Sequence, residues 1–147
     1  DDDLATLVEG HITEVPETWS LDYVCVTTGT QAIPTATVRL IKTGKKKSAK
    51  PEILEDAGIG DGPVDAALKA VDRLTKTHGT LKDYNIRAVS QGKDALGEVM
   101  VKVVFGDGEL LTGRGASTDV IVASAKAYLN AVNRYMSSES RKARKKG

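Results

Sequence analysis

The chain has 147 residues, 40% hydrophobic and 28% charged, which suits one globular domain or two small units sharing a core. A net charge of +1 gives no bulk attraction to nucleic acid or membrane, and 4% aromatic residues supply no stacking platform for single strands. No apolar run reaches transmembrane length, no signal-peptide pattern opens the chain, and the lone Cys25 in apolar surroundings reads as a buried, reduced thiol. A cytoplasmic location is expected.

The chain opens on Asp1-Asp2-Asp3-Leu4 without Met, which reads as a fragment cut from a longer protein. Leu4, Leu7 and Val8 have helical spacing, so Asp1 to Gly10 is predicted as a short helical entry. A strand is expected over about Leu21–Thr28, and an alternating one over Pro34–Ile41. After a basic loop, Lys42 to Lys50, comes a third strand over about Glu52–Ala57. Pro63 at a first helical position and Asp65 in the first turn start a helix expected to run to Thr77. Val64, Ala67, Leu68, Val71 and Leu74 form its apolar stripe.

The order then repeats. A strand is predicted over Leu81–Ser90, and another over Glu98–Phe105, where Val99, Val101 and Val103 answer Ala36, Val38 and Leu40. Gly106-Asp107-Gly108 signals a hairpin into Glu109–Thr112. A long helix follows, with Ser117 or Thr118 expected as its cap and Ile121, Ala125, Tyr128, Leu129, Val132 and Met136 on its buried face. The polar, basic tail from Ser137 to Gly147 is expected to fray. The predicted fold class is α+β: two pseudo-twofold-related βββα units, over about 19–79 and 80–136, whose antiparallel sheets pack with helices in one domain.

Two Gly-x-Gly motifs, Gly60-Asp61-Gly62 and Gly113-Arg114-Gly115, stand where a strand is expected to hand over to a helix. An aspartate follows each, Asp65 and Asp119. Paired glycines let backbone amides approach a ligand, and a helix start presents unpaired N–H groups with partial positive charge. The pair reads as a duplicated seat for a small charged molecule. Neither ends in Gly-Lys-Ser/Thr, which argues against a phosphate loop. His11 and His78 are isolated, with no metal-ligand spacing, and Ser117 and Thr118 have no His–acid partners in sequence. No catalytic or metal residue is therefore assigned. The runs at Lys45-Lys46-Lys47 and Arg141 to Lys146 lack aromatic interleaving and read as a solvated loop and tail, not as a nucleic-acid surface.

Taken together, Gly60-Asp61-Gly62-Pro63-Val64-Asp65-Ala66-Ala67, Asp94-Ala95-Leu96-Gly97-Glu98-Val99, Gly113-Arg114-Gly115-Ala116-Ser117-Thr118-Asp119 and Ala123 to Ala131 closely resemble the C-terminal regulatory domain of 2-isopropylmalate synthase. The likeness spans roughly Leu21 to Met136 and includes the second strand, Pro34 to Val38. It implies an allosteric module that binds leucine for feedback inhibition and joins a homodimer. The metal-dependent catalytic barrel that uses acetyl-CoA is absent from this chain, so no cofactor is expected in this domain. The isoleucine-regulated domain of citramalate synthase is the alternative, as is a dimerisation scaffold whose effector site has degenerated.

A free amino acid needs N–H donors for its carboxylate, an oxygen for its ammonium and an apolar pocket for its side chain. The first junction supplies Gly60, Gly62, Pro63, Val64, Asp65 and Ala66 as the expected effector site. The resemblance adds the strand from Leu81, with Tyr84 closing one side and Ala88 as a wall, and Gly115 with Ala116 from the second junction. Asp65, Asp83 and Asp119 are the candidate ammonium partners. The site is expected between the two halves, near a dimer interface.

Overall fold

The computed structural model describes residues 16–43, 50–89 and 95–146, with the backbone course alone over 140–146. The elements run β1 (Trp19–Gly29), β2 (Ala32–Lys42), β3 (Glu52–Ile59), α1 (Pro63–Thr75), β4 (Gly79–Ala88), β5 (Gly97–Phe105), β6 (Leu110–Ser117) and α2 (Val120–Lys146). This is the expected duplicated βββα order. The expected entry helix, His11 and the lysine run at 45–47 lie outside the described residues.

Each unit is an antiparallel sheet in chain order, β1-β2-β3 and β4-β5-β6. Register follows from alternation. In the first sheet the pairs Val24–Val38, Val26–Ala36, Leu40–Leu54 and Ala36–Gly58 share the inward face. In the second, Val99, Val101, Val103 and Phe105 of β5 point inward and are buried. A one-residue slip of either strand would turn its whole apolar set to water. Both helices lie on these inward faces. Helix α1 packs on β3 and β2, α2 on β6, β5 and β1, and the two helices touch. One core results: Trp19, Val38, Leu40, Leu68 and Val71 join Val99, Val101, Val103, Tyr128 and Val132. Asn133 of α2 ties the units by accepting from the Trp19 amide and donating to the Trp19 carbonyl, both at 2.9 Å.

Five sequence expectations are corrected. Cys25 is exposed, because its partner across the ladder is Thr37, on the outward face. Strand β6 runs on to Ser117, so Gly113 and Gly115 lie inside a strand and mark no strand-to-helix junction. The cap of α2 is Asp119, whose Oδ1 accepts from the amides of Ile121 at 2.8 Å and Val122 at 3.3 Å. The tail does not fray at Ser137: α2 continues to Lys146, consistent with a stretch free of Gly and Pro. Helix α1 also ends slightly early, at Thr75, where Lys76 turns left-handed at φ 57°. Among the described residues no helix is long and apolar enough to cross a membrane.

Candidate functional site

Counting back from each helix shows that the two glycine motifs are not copies of one another. Gly115 stands five residues before Val120, and Gly58 five before Pro63, so these two are equivalents. Both let a helix backbone approach its sheet. A Cβ on Gly58 would lie 2.8 Å from the Ala70 nitrogen, and one on Gly115 would lie 2.6 Å from the Ala123 oxygen. Gly113 likewise faces Ala127 and Ala131 of α2. The alanines on these helices are the other half of the same close contact.

By the same count, Gly60 and Gly62 correspond to Ser117 and Asp119. The difference is chemical. Asp119 places a carboxylate on the first amides of α2, and the Ser117 hydroxyl accepts from the Asp119 amide at 3.1 Å. The cap of α1 is Gly62, which has no side chain to accept from Val64 or Asp65, and Pro63 has no N–H. A Cβ on Gly62 would meet nothing within 4 Å, and its backbone is extended at φ −159° and ψ 178°. Among the described residues nothing therefore requires glycine at 62. Gly60, by contrast, packs on the helix start, with Asp65 and Ala66 in its way.

This uncapped end opens on a groove of about 990 Å³ between α1, β3 and β4. Among the described residues the helices cover β2, β3, β5 and β6 and leave the inward face of β4 largely bare: Leu81 is 40% and Ile86 51% exposed. Ile59, Val64, Leu68, Leu81 and Tyr84 form its apolar walls. The Tyr84 hydroxyl lies 2.6 Å from the Ser124 hydroxyl, and Ser124 donates to the Val120 carbonyl at 2.7 Å. At the near end Asp65 accepts from the Asp61 amide at 2.9 Å and pairs with Lys69 at 3.0 Å. Burial opposes ionisation of Asp65, but these two partners outweigh it and hold its carboxyl below the usual range.

The far end of the groove carries Asp72, about 12 Å along the helix from Val64 at about 1.5 Å per residue. Its Oδ1 accepts from Tyr128 at 2.7 Å and Thr77 at 2.8 Å, and its Oδ2 from the Gly79 amide at 3.4 Å. Burial still raises the Asp72 carboxyl above its ordinary value, and the Tyr128 hydroxyl is pushed up by burial and by that carboxylate. The pair joins α1 of one unit to α2 of the other.

Of the expected effector residues, Val64, Asp65, Leu81 and Tyr84 line this groove, with Gly62 and Pro63 at its capping end. Ala66 is fully buried in a small cluster with Ala36 and Ala67, so its side chain faces away from any ligand. Ala88 ends β4 on the Tyr84 face. Gly115 lies under α2, and Ala116 pairs with Glu98 on the outer face of the second sheet. Two of the three carboxylates considered for an ammonium, Asp83 and Asp119, are engaged elsewhere. Asp83 accepts from the Tyr84 amide and from Asn85, and Asp119 caps α2. Asp72, Tyr128, Leu68 and Ser124 were missed as parts of this site. One signal was available: Asp72 falls eight residues after Val64 and four after Leu68, a carboxylate on an apolar stripe. Among the described residues no group of three or more His, Cys, Asp or Glu could hold a metal ion.

Fold and groove together define a duplicated βββα domain with an apolar groove built between units rather than within one. Residues 1–136 match the model of the LeuA allosteric (dimerisation) domain, and the chain belongs to that family. It is 52% identical over 136 residues to the 2-isopropylmalate synthase of Carboxydothermus hydrogenoformans and 54% identical over 134 residues to that of Methylacidiphilum infernorum. The synthase of Heliobacterium modesticaldum is 50% identical over 134 residues. These alignments cover 91–92% of this chain but 25% of each relative, so the chain spans about a quarter of the length of the curated relatives it matches.

Proposed function

We propose that this chain is the leucine-responsive regulatory domain of a 2-isopropylmalate synthase, whose acyl-transfer chemistry belongs to the rest of that enzyme. The observation that carries the reading is the uncapped start of α1 beside an apolar groove, in a chain of the LeuA allosteric family. The effector carboxylate accepts from the Val64 and Asp65 amides, where the helix dipole favours an anion and Lys69 adds positive charge. Its branched side chain lies among Val64, Leu68, Leu81 and Tyr84. The ammonium, on the same carbon as the carboxylate, falls beside Asp65. A second copy covers the bare face of β4, where Leu81 and Ile86 are 40% and 51% exposed. Inhibition then follows from unequal leucine affinity for two states of the full enzyme, a coupling of about 1–3 kcal/mol.

Calorimetric titration of the chain with leucine, isoleucine, valine and pyruvate tests this. Leucine is expected to give the tightest binding, and Gly62→Val to lose it while the fold persists. No heat with any branched amino acid overturns the effector reading and leaves a dimerisation scaffold. Preference for isoleucine moves the chain to the citramalate branch.

A further inference from the structure

Leucine and isoleucine have the same volume and differ in where the chain branches, so a pocket that separates them needs walls fixed to within about 0.5 Å. On the α1 side the walls are fixed, Leu68 being buried in the core, but the facing rim lacks such a wall. Ile59 is 60% exposed and Leu81 40%, with no helix among the described residues packed across Leu81 to fix its rotamer. Tyr84 is different. Its ring packs on the core from the groove side, and its hydroxyl is anchored 2.6 Å from Ser124 Oγ. Ser124 is fully buried and spends its only proton on the Val120 carbonyl, so Tyr84 is the donor to Ser124. The anchor sits on the first turns of α2, the capped and well-packed helix, and lies outside the groove lining.

We infer that Ser124 is a positioning residue for effector choice: through its hydrogen bond it holds the Tyr84 ring as the rigid wall that distinguishes a γ-branched from a β-branched amino acid. The inference rests on the leucine reading above and names the residue that sets its selectivity. Removing the hydroxyl partner frees the ring to turn toward the bare side of β4, and the groove then accepts either isomer.

The test is calorimetry of the full chain with leucine and isoleucine separately, for the parent, Ser124→Ala, Tyr84→Phe and the double variant. Each single variant is expected to lower the leucine-to-isoleucine affinity ratio about tenfold, the scale of one methylene misplaced in an apolar pocket. The double variant is expected to go no further, because both changes delete one hydrogen bond. A purely structural role would weaken both amino acids alike and leave the ratio unchanged, which overturns the inference; so would ratio changes that add in the double variant. Should Ser124→Ala fail to fold, Tyr84→Phe decides the matter, since it leaves Ser124 paired with Val120. If the parent chain binds neither amino acid, the leucine reading fails and this inference falls with it. If the parent binds leucine and the ratio holds in both single variants, this inference alone fails.

Discussion

The two helix starts of this domain occupy equivalent places in a repeated unit and solve the same electrostatic problem differently. Helix α2 satisfies its first amides internally through Asp119, whereas α1 begins at a glycine with no acceptor to offer. The self-capped helix packs tightly, with Gly113 and Gly115 giving it room. The uncapped one borders the groove. Duplication has therefore left one unit to supply the scaffold and the other to supply the opening.

The largest test of this division compares glycines. Gly115→Val pushes a side chain into the α2 backbone and is expected to cost about 3 kcal/mol or more by urea denaturation. Gly62→Val, placed in open space on extended backbone, is expected to cost only about 1 kcal/mol, the difference between glycine and valine at a helix cap. Equal losses would erase the distinction. Next in size is the joint between units. Tyr128→Phe strips a donor from the half-buried Asp72 carboxylate and is expected to cost about 1–3 kcal/mol in the same assay. A smaller effect belongs to the cap itself: Asp119→Ala is expected to destabilise by about 1 kcal/mol.

The pH dependence sharpens the joint further. Burial raises the folded Asp72 carboxyl above its ordinary 3.8, so the folded chain holds that proton more tightly than the unfolded one. This group's contribution therefore favours the fold in acid and is lost as pH rises through the raised value. Asp72→Asn removes the slope, so its stability relative to the parent is expected to climb with pH above 3.8 in denaturant midpoints taken at several pH values. A flat difference would mean that Asp72 titrates normally in the fold.

The architecture was legible in the sequence because its signals are local: alternation in Ala36-x-Val38-x-Leu40 and Val99-x-Val101-x-Val103, Pro63 at a helix start and the Gly106–Gly108 turn. What misled was pattern without register. Gly113-x-Gly115 looks like Gly60-x-Gly62, yet only pairing with Val101 and Val99 shows it to be strand interior beneath a helix. Cys25 has apolar sequence neighbours, but alternation from Val24 and Val26 turns it outward. The groove was half legible. Val64 and Asp65 are set by the helix start, whereas the contacts of Asp72 with Tyr128 and of Tyr84 with Ser124 span 56 and 40 residues, beyond any local signal.

Gly62→Asp tests the central claim most directly, because it gives α1 the cap that α2 already has. Supplying that carboxylate is expected to raise thermal stability by a few tenths of a kcal/mol, on the order of the usual Gly-to-Asp cap difference. It also fills the seat assigned to the effector carboxylate. Calorimetry should then show leucine binding to the parent and none to Gly62→Asp, although the variant melts at the same or a higher temperature. Equal leucine affinity in the two chains would contradict the assignment of the α1 start as the effector's anion seat.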